Sequence, residues 1–196
     1  MSDRSIWYEE CDNGWLKLIP SVVKCEYEQD KFSPIVTCIH LPEQDLDNFH
    51  VFPKCTIECT QEDFAYQRYF GDNKSIISYS GTNATVQDPT MPYFLIYRIN
   101  FYAKFKSDID YITRQWNTFC GRAFSLPVTL STGETYNCNV DSLGCQNHDS
   151  VEREVRRYVR SYLYKVWAYL EGDTHDAHRV TNINHITKQA GGNNYD

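Results

Sequence analysis

A chain of 196 residues that is 41% hydrophobic and 15% aromatic can bury one proper core, and its formal charge of -7 excludes a general nucleic-acid binder, which needs surplus Lys and Arg for phosphates. Charges at Asp3, Arg4, Glu9, Glu10 and Asp12 interrupt the N-terminus, so the reading expects neither signal peptide nor membrane partner. Without an export signal, the eight cysteines read as thiols held in a cytosol-like compartment.

In chain order, residues 1–33 mix aromatics with acids and show no sustained period, which suggests an irregular arm or a short helix. Pro34 opens a strand in which Ile35, Thr37 and Ile39 alternate with Val36, Cys38 and His40, and Pro42 closes it. An acidic loop over 43–53 leads to a second alternating strand, Lys54 to Thr60. Residues 61–73 fit a short helix or an aromatic-rich loop, with a turn at Gly71. Ser75 to Ser80 reads as a short strand, and the turn-rich segment from Gly81 to Thr90 as a surface loop.

The firmest pattern is Pro92 to Phe119. Tyr93, Leu95, Tyr97, Ile99, Phe101, Ala103 and Phe105 fall on one side of a period-two ladder, with Arg98, Asn100, Tyr102 and Lys104 on the other. The period then changes: Ser107 and Asp110 have capping-box spacing, and Ile109, Ile112, Trp116 and Phe119 recur at helical intervals. A strand therefore runs almost directly into an amphipathic helix, which Gly121 ends. Two strands, Phe124 to Leu130 and Glu134 to Val140, should meet at Ser131-Thr132-Gly133, with Pro127 placing the first at an edge. After a loop over Asp141 to Asp149, the spacing of Val151, Val155, Val159, Tyr162, Val166 and Leu170, capped by Asp149 and Glu152, predicts the longest helix of the chain.

The fold class expected is α+β: a mainly antiparallel sheet packed against a central helix over about 107–119 and a long C-terminal helix over about 150–171. The domain expected is a single one over 1–172 with an irregular N-terminal arm, followed by a polar, mobile tail over 173–196.

Chemistry-bearing groups are sparse. His175 and His178, three apart, would share a face on a helix and with a neighbouring carboxylate such as Asp173 could hold one divalent metal for a small phosphohydrolase. No second acidic cluster completes that ligand set, and solvated histidines are the commoner reading; His185-Ile186-Thr187 is half of a two-histidine phosphoesterase pattern whose other half is missing. Cys138, Cys145 and His148 make at most a partial zinc set, and Cys55 and Cys59 share one face of a strand as core residues do. The expectation is no cofactor and no catalytic residue. Arg153, Arg156, Arg157 and Arg160 form two rows of like charge on the expected helix, a solvated face or a surface for an acidic partner. With Arg98, Tyr102 and Lys104 they make up the expected partner interface.

The stretches FSPIVTCIHLP, MPYFLIYRINFYAKFKSDIDYITRQW and GRAFSLPVTL together resemble a pattern of virion proteins of tailed bacteriophages, in the tail-terminator and neck or tail-completion group, over about residues 30–130. That resemblance implies a small α+β domain that assembles as a homo-oligomeric ring and contacts other neck or tail proteins of the virion, after synthesis in the host cytoplasm. It implies assembly rather than catalysis. An adaptor subunit of another large assembly is the remaining alternative.

Overall fold

The computed structural model describes residues 4–39, 51–69, 75–80, 83–121, 124–152 and 155–178, with the side chains of 79, 150–156, 175 and 178 outside that description. In order its elements are α1 (Tyr8–Val22), β1 (Lys24–Glu28), β2 (Lys31–Pro34), β3 (Val36–Ile39), β4 (Lys54–Phe64), β5 (Ser75–Ser80), β6 (Asn83–Gln87), β7 (Met91–Ala103), α2 (Lys106–Cys120), β8 (Ser125–Thr129), β9 (Thr135–Asn147), β10 (Ser150–Glu152), β11 (Val155–Leu170) and β12 (Thr174–His178). The expected balance of helix and strand is overturned. The described chain is mostly strand, with α1 and α2 as its α-helices, and neither is long and apolar enough to cross a membrane.

The long C-terminal helix is the main correction. Residues 155–170 form the central strand of a sheet ordered β3-β4-β7-β11-β9-β8, with β10 added to β11. Every pairing on that path is antiparallel except β3 with β4. β11 is rich in Val, Tyr and Trp, side chains that fit a pleated surface, and it pairs with β7 from Tyr158↔Ala103 to Leu170↔Met91. Asp149 and Glu152 therefore cap no helix, and the loop expected over 141–149 is largely the continuation of β9 to Asn147.

Of the irregular arm or short helix expected over residues 1–33, the helix is the one that forms, as α1. Cys11, Trp15 and Ile19 lie at four-residue spacing on α1 and are all fully buried. The Glu10 carboxylate accepts from the Trp7 N–H at 3.1 Å, one half of a capping box. α1 lies close on β8: a Cβ at Gly14 would stand 2.8 Å from the Pro127 carbonyl oxygen, so only glycine allows this approach.

α2 begins one residue earlier than its sequence cap predicts. Phe105 occupies the N-cap without a side-chain bond, while Ser107 Oγ donates to Asp108 Oδ1 at 3.1 Å. Ile109, Ile112 and Trp116, all fully buried, put one helical stripe against Phe101 and Tyr164. Each such burial contributes roughly 1.5–3 kcal/mol. Trp116 Nε1 donates to Tyr164 OH at 2.8 Å, and Tyr162 OH donates to Asn117 Oδ1 at 2.9 Å, so the polar ends of this aromatic core are paired.

The chain divides into two compact units, Met1–Tyr69 with Thr90–Glu171, and Phe70–Pro89 with Gly172–Asp196. The first holds the large sheet, both helices and the β1–β2 hairpin. The second is a three-stranded antiparallel sheet ordered β12-β6-β5. β6 occupies part of the segment read as a loop over 81–90, and β12 part of the segment read as a tail. Residues 179–196, including His185, lie outside the described residues.

One half-buried acid sets a pH dependence. Tyr97 OH donates to Asp12 Oδ1 at 2.9 Å, yet burial outweighs this bond and raises the Asp12 carboxyl above its ordinary 3.8. The folded chain thus holds this proton more tightly than the unfolded one. Its contribution to stability is present below the ordinary carboxyl value and is lost as pH rises through the raised folded value. Asp12→Asn keeps an acceptor for Tyr97 and removes the titration, so the fall in unfolding free energy from acid to neutral pH should be shallower than in the parent chain, read by urea melts across that range.

Candidate functional site

Along β7 the odd positions Leu95, Tyr97, Ile99, Phe101 and Ala103 are fully buried on the helix side. The even positions Phe94, Ile96, Arg98, Asn100 and Tyr102 face the other way, as strand alternation requires. Register brings partners to each. Tyr102 stands between Lys54 and Val159, Asn100 between Thr56 and Ser161, Arg98 between Glu58 and Leu163, and Phe94 between Asp63 and Trp167.

The middle of this face is polar and joined side to side. Ser161 Oγ donates to Asn100 Oδ1 at 2.6 Å, and Asn100 Nδ2 donates to Thr56 Oγ1 at 3.4 Å. Arg98 Nη1 lies 3.5 Å from Glu58 Oε2. Glu58, Arg98, Asn100 and Ser161 line, with Tyr102, Gln146, His148 and Val159, an open groove of about 560 Å³. The Ser161 hydroxyl gives its proton to an amide oxygen, which is no base, so this row orders the groove without activating a nucleophile.

Cation–aromatic clusters flank the groove. At one end Lys54 Nζ lies 4.8 Å from the Phe52 ring centroid and 5.7 Å from that of Tyr102, and Lys104 Nζ is 5.1 Å from the same Phe52 ring. At the other, Phe94 and Trp167 meet edge to face at 4.2 Å. The Arg68 guanidinium lies over Trp167 at 3.3 Å, and Lys165 Nζ is 3.8 Å from Phe94. Trp167 Nε1 donates to Asp141 Oδ2 at 3.2 Å. Each cation held over a ring is worth roughly 0.5–1 kcal/mol where solvent reaches it. Burial pushes the Tyr102 phenol up from its ordinary value, against an opposing hydrogen bond from Thr56, so it stays protonated at neutral pH.

Of the residues expected at a partner interface, Arg98, Tyr102 and Lys104 come together here. The arginine rows do not survive as such, because they require a helix. Arg157 and Arg160 fall at strand positions of opposite parity, and Arg160 is paired with Asp149 on the far side of β11 from Val159 and Ser161. Arg153 lies outside the described residues, and Arg156 is described by its backbone place in β11 alone. Sequence reasoning missed Phe94, which shares the even face of β7, and Lys54, Thr56, Glu58, Ser161, Lys165 and Trp167, which reach the face only through register with β7.

Asp173 is exposed next to β12, which contains His175 and His178. A spacing of three shares a face on a helix and not on a strand, so the argument that joined them is withdrawn. Among the described residues no group of three or more His, Cys, Asp and Glu is placed to hold a metal ion. The cysteines are free thiols, and burial raises Cys25 to about 12 and Cys59, Cys120 and Cys138 to about 11, the reverse of what a nucleophilic thiolate needs.

The fold and this face define a mostly β domain with two helices on one side of its main sheet and, on the other, a polar groove flanked by cation–aromatic clusters. No protein-family model matches the chain, and no curated protein matches it.

Proposed function

We propose that this chain is a structural subunit of a tailed-phage virion, of the tail-terminator or neck type, which acts by protein–protein contact and assembles as a ring of identical copies on its tail partner. The observation that carries a binding role is the composition of the open sheet face. Lys54, Lys104, Lys165 and Arg68 lie against Phe52, Tyr102, Phe94 and Trp167 at the two ends of this face, with the Arg98–Glu58 pair between them, on a chain whose net charge is -7. Aromatic and arginine side chains supply most hot spots of interfaces, and concentrated positive charge on an acidic protein favours an acidic protein surface. The virion assignment rests on the sequence resemblance, and the ring on the two different faces that a rotationally closed assembly requires.

The double variant Arg98→Glu/Lys104→Glu tests this reading, since both positions are exposed and neither belongs to the core. It should melt within a few degrees of the parent protein. Supplied to particles assembled without the parent protein, it should leave joined, infectious particles at least tenfold fewer. Full complementation by the variant, or particles that join normally with no copy of the chain present, would defeat the proposal.

A further inference from the structure

On the helix side of the same unit, the β1–β2 hairpin and the first turns of α2 enclose a cleft of about 330 Å³. Phe32 and Tyr111, 55% and 44% exposed, form its aromatic wall with ring centroids 6.0 Å apart. Glu26 and Asp108 line it, Glu26 Oε1 accepting from the Asp30 N–H at 2.7 Å and Asp108 Oδ1 from Ser107 Oγ at 3.1 Å, so that each carboxylate keeps a second oxygen for a partner. The cleft lining thus carries two carboxylates and no cation, and the Lys31 ammonium of the same hairpin is held by Glu28 at 2.6 Å. An exposed aromatic pair beside two carboxylates is built to receive a basic side chain, whose charge meets the acids while its stem or guanidinium lies on the rings.

The open face across the sheet offers such side chains. We infer that the occupant of this cleft is a second copy of the chain, whose Arg98 and Lys104 strip docks against Glu26, Asp108, Phe32 and Tyr111. This deepens the ring proposal and rests on it. The two patches are different surfaces of the chain, so the contact is heterologous, and each copy keeps one patch of each kind for its next neighbour. Pairing by charge at exposed rims is salt-sensitive and weak in isolation, which fits a subunit that gathers only at high local concentration.

Sedimentation velocity across a concentration series, at low and at high salt, tests the inference with the whole protein. The parent chain should show a sedimentation coefficient that rises with concentration at low salt and much less at high salt. Glu26→Lys/Asp108→Lys and Arg98→Glu/Lys104→Glu should each stay monomeric. Mixed in equal amounts they should associate again, because each reversed patch then meets a reversed or an unreversed complement on the other. Failure of the mixture to associate, parent-like association of either variant alone, or a strictly monomeric parent at every concentration would overturn it. If the strip variant alone fails in particles while the cleft variant complements fully, the strip serves another partner: the inference falls and the virion reading stands. If both variants complement fully, the virion reading falls with it.

Discussion

Trp116→Ala should lower the unfolding free energy by about 3–5 kcal/mol, the cost of removing a large aromatic side chain from a closed core. Trp116 is fully buried and has ring neighbours from α2, β7, β11 and the segment before β8: Phe119 at 5.7 Å, Phe101 at 5.6 Å, Tyr164 at 6.2 Å and Phe124 at 6.3 Å. Its removal opens a cavity that none of these rings can fill without leaving another contact. It also takes the Nε1 donor from Tyr164 OH, which keeps only the Cys120 Sγ at 3.4 Å. A domain stable by about 5–15 kcal/mol then loses a large part of its margin. Urea melts followed by circular dichroism should show a lower midpoint with an unchanged slope. Trp116→Phe keeps most of the ring volume and loses only the indole donor, so its cost should be clearly smaller. Equal costs for the two variants would mean that the hydrogen bond, and not the packing, dominates at this position.

This same region shows what could be read from residues alone. From Met91 to Cys120 the signals agree, since β7 has its helix-side positions apolar at every second residue and α2 has one narrow apolar stripe. β11 misled because it is a central strand with aromatic or apolar side chains on both faces. Tyr162, Tyr164 and Val166 go to the helices while Val159, Leu163 and Trp167 go to the open face, which erases alternation and lets a four-residue spacing fit by chance. Composition was the better guide there: Val, Tyr and Trp in such density favour a strand over a helix. α1 was hidden for the opposite reason. Gly14 and Pro20 argue against a helix locally, yet Gly14 is needed for contact with β8, and Pro20 costs the helix one hydrogen bond only two residues before its end. The candidate site was half legible. Arg98 and Tyr102 share β7 and so a face, with Lys104 directly after its end, but their partners on β4 and β11 depend on register, which turns and pairing decide.

Gly172→Ala should melt the three-stranded sheet while leaving the larger unit folded. A Cβ at this buried position would stand 2.2 Å from the Asp88 carbonyl oxygen and 2.5 Å from its carbon, distances that only a backbone shift can relieve. The atoms it would displace hold the start of β12 to the end of β6. The Asp88 N–H donates to the Asp173 carbonyl at 2.9 Å, and pairing begins directly after, at Thr174↔Gln87. β12 has only five residues, so a displaced first pair removes a large share of its ladder, and a two-stranded remainder of β5 and β6 is marginal by itself. Overpacking of this kind costs roughly 1–3 kcal/mol in a core that can yield and more where backbone meets backbone. Hydrogen exchange should therefore show amides of β6 and β12 losing protection by tenfold or more, with those of β7 and β11 unchanged. Loss of protection in β7 and β11 to the same degree would mean that the two units unfold as one. Unchanged protection throughout would show that the Asp88 backbone has room to move.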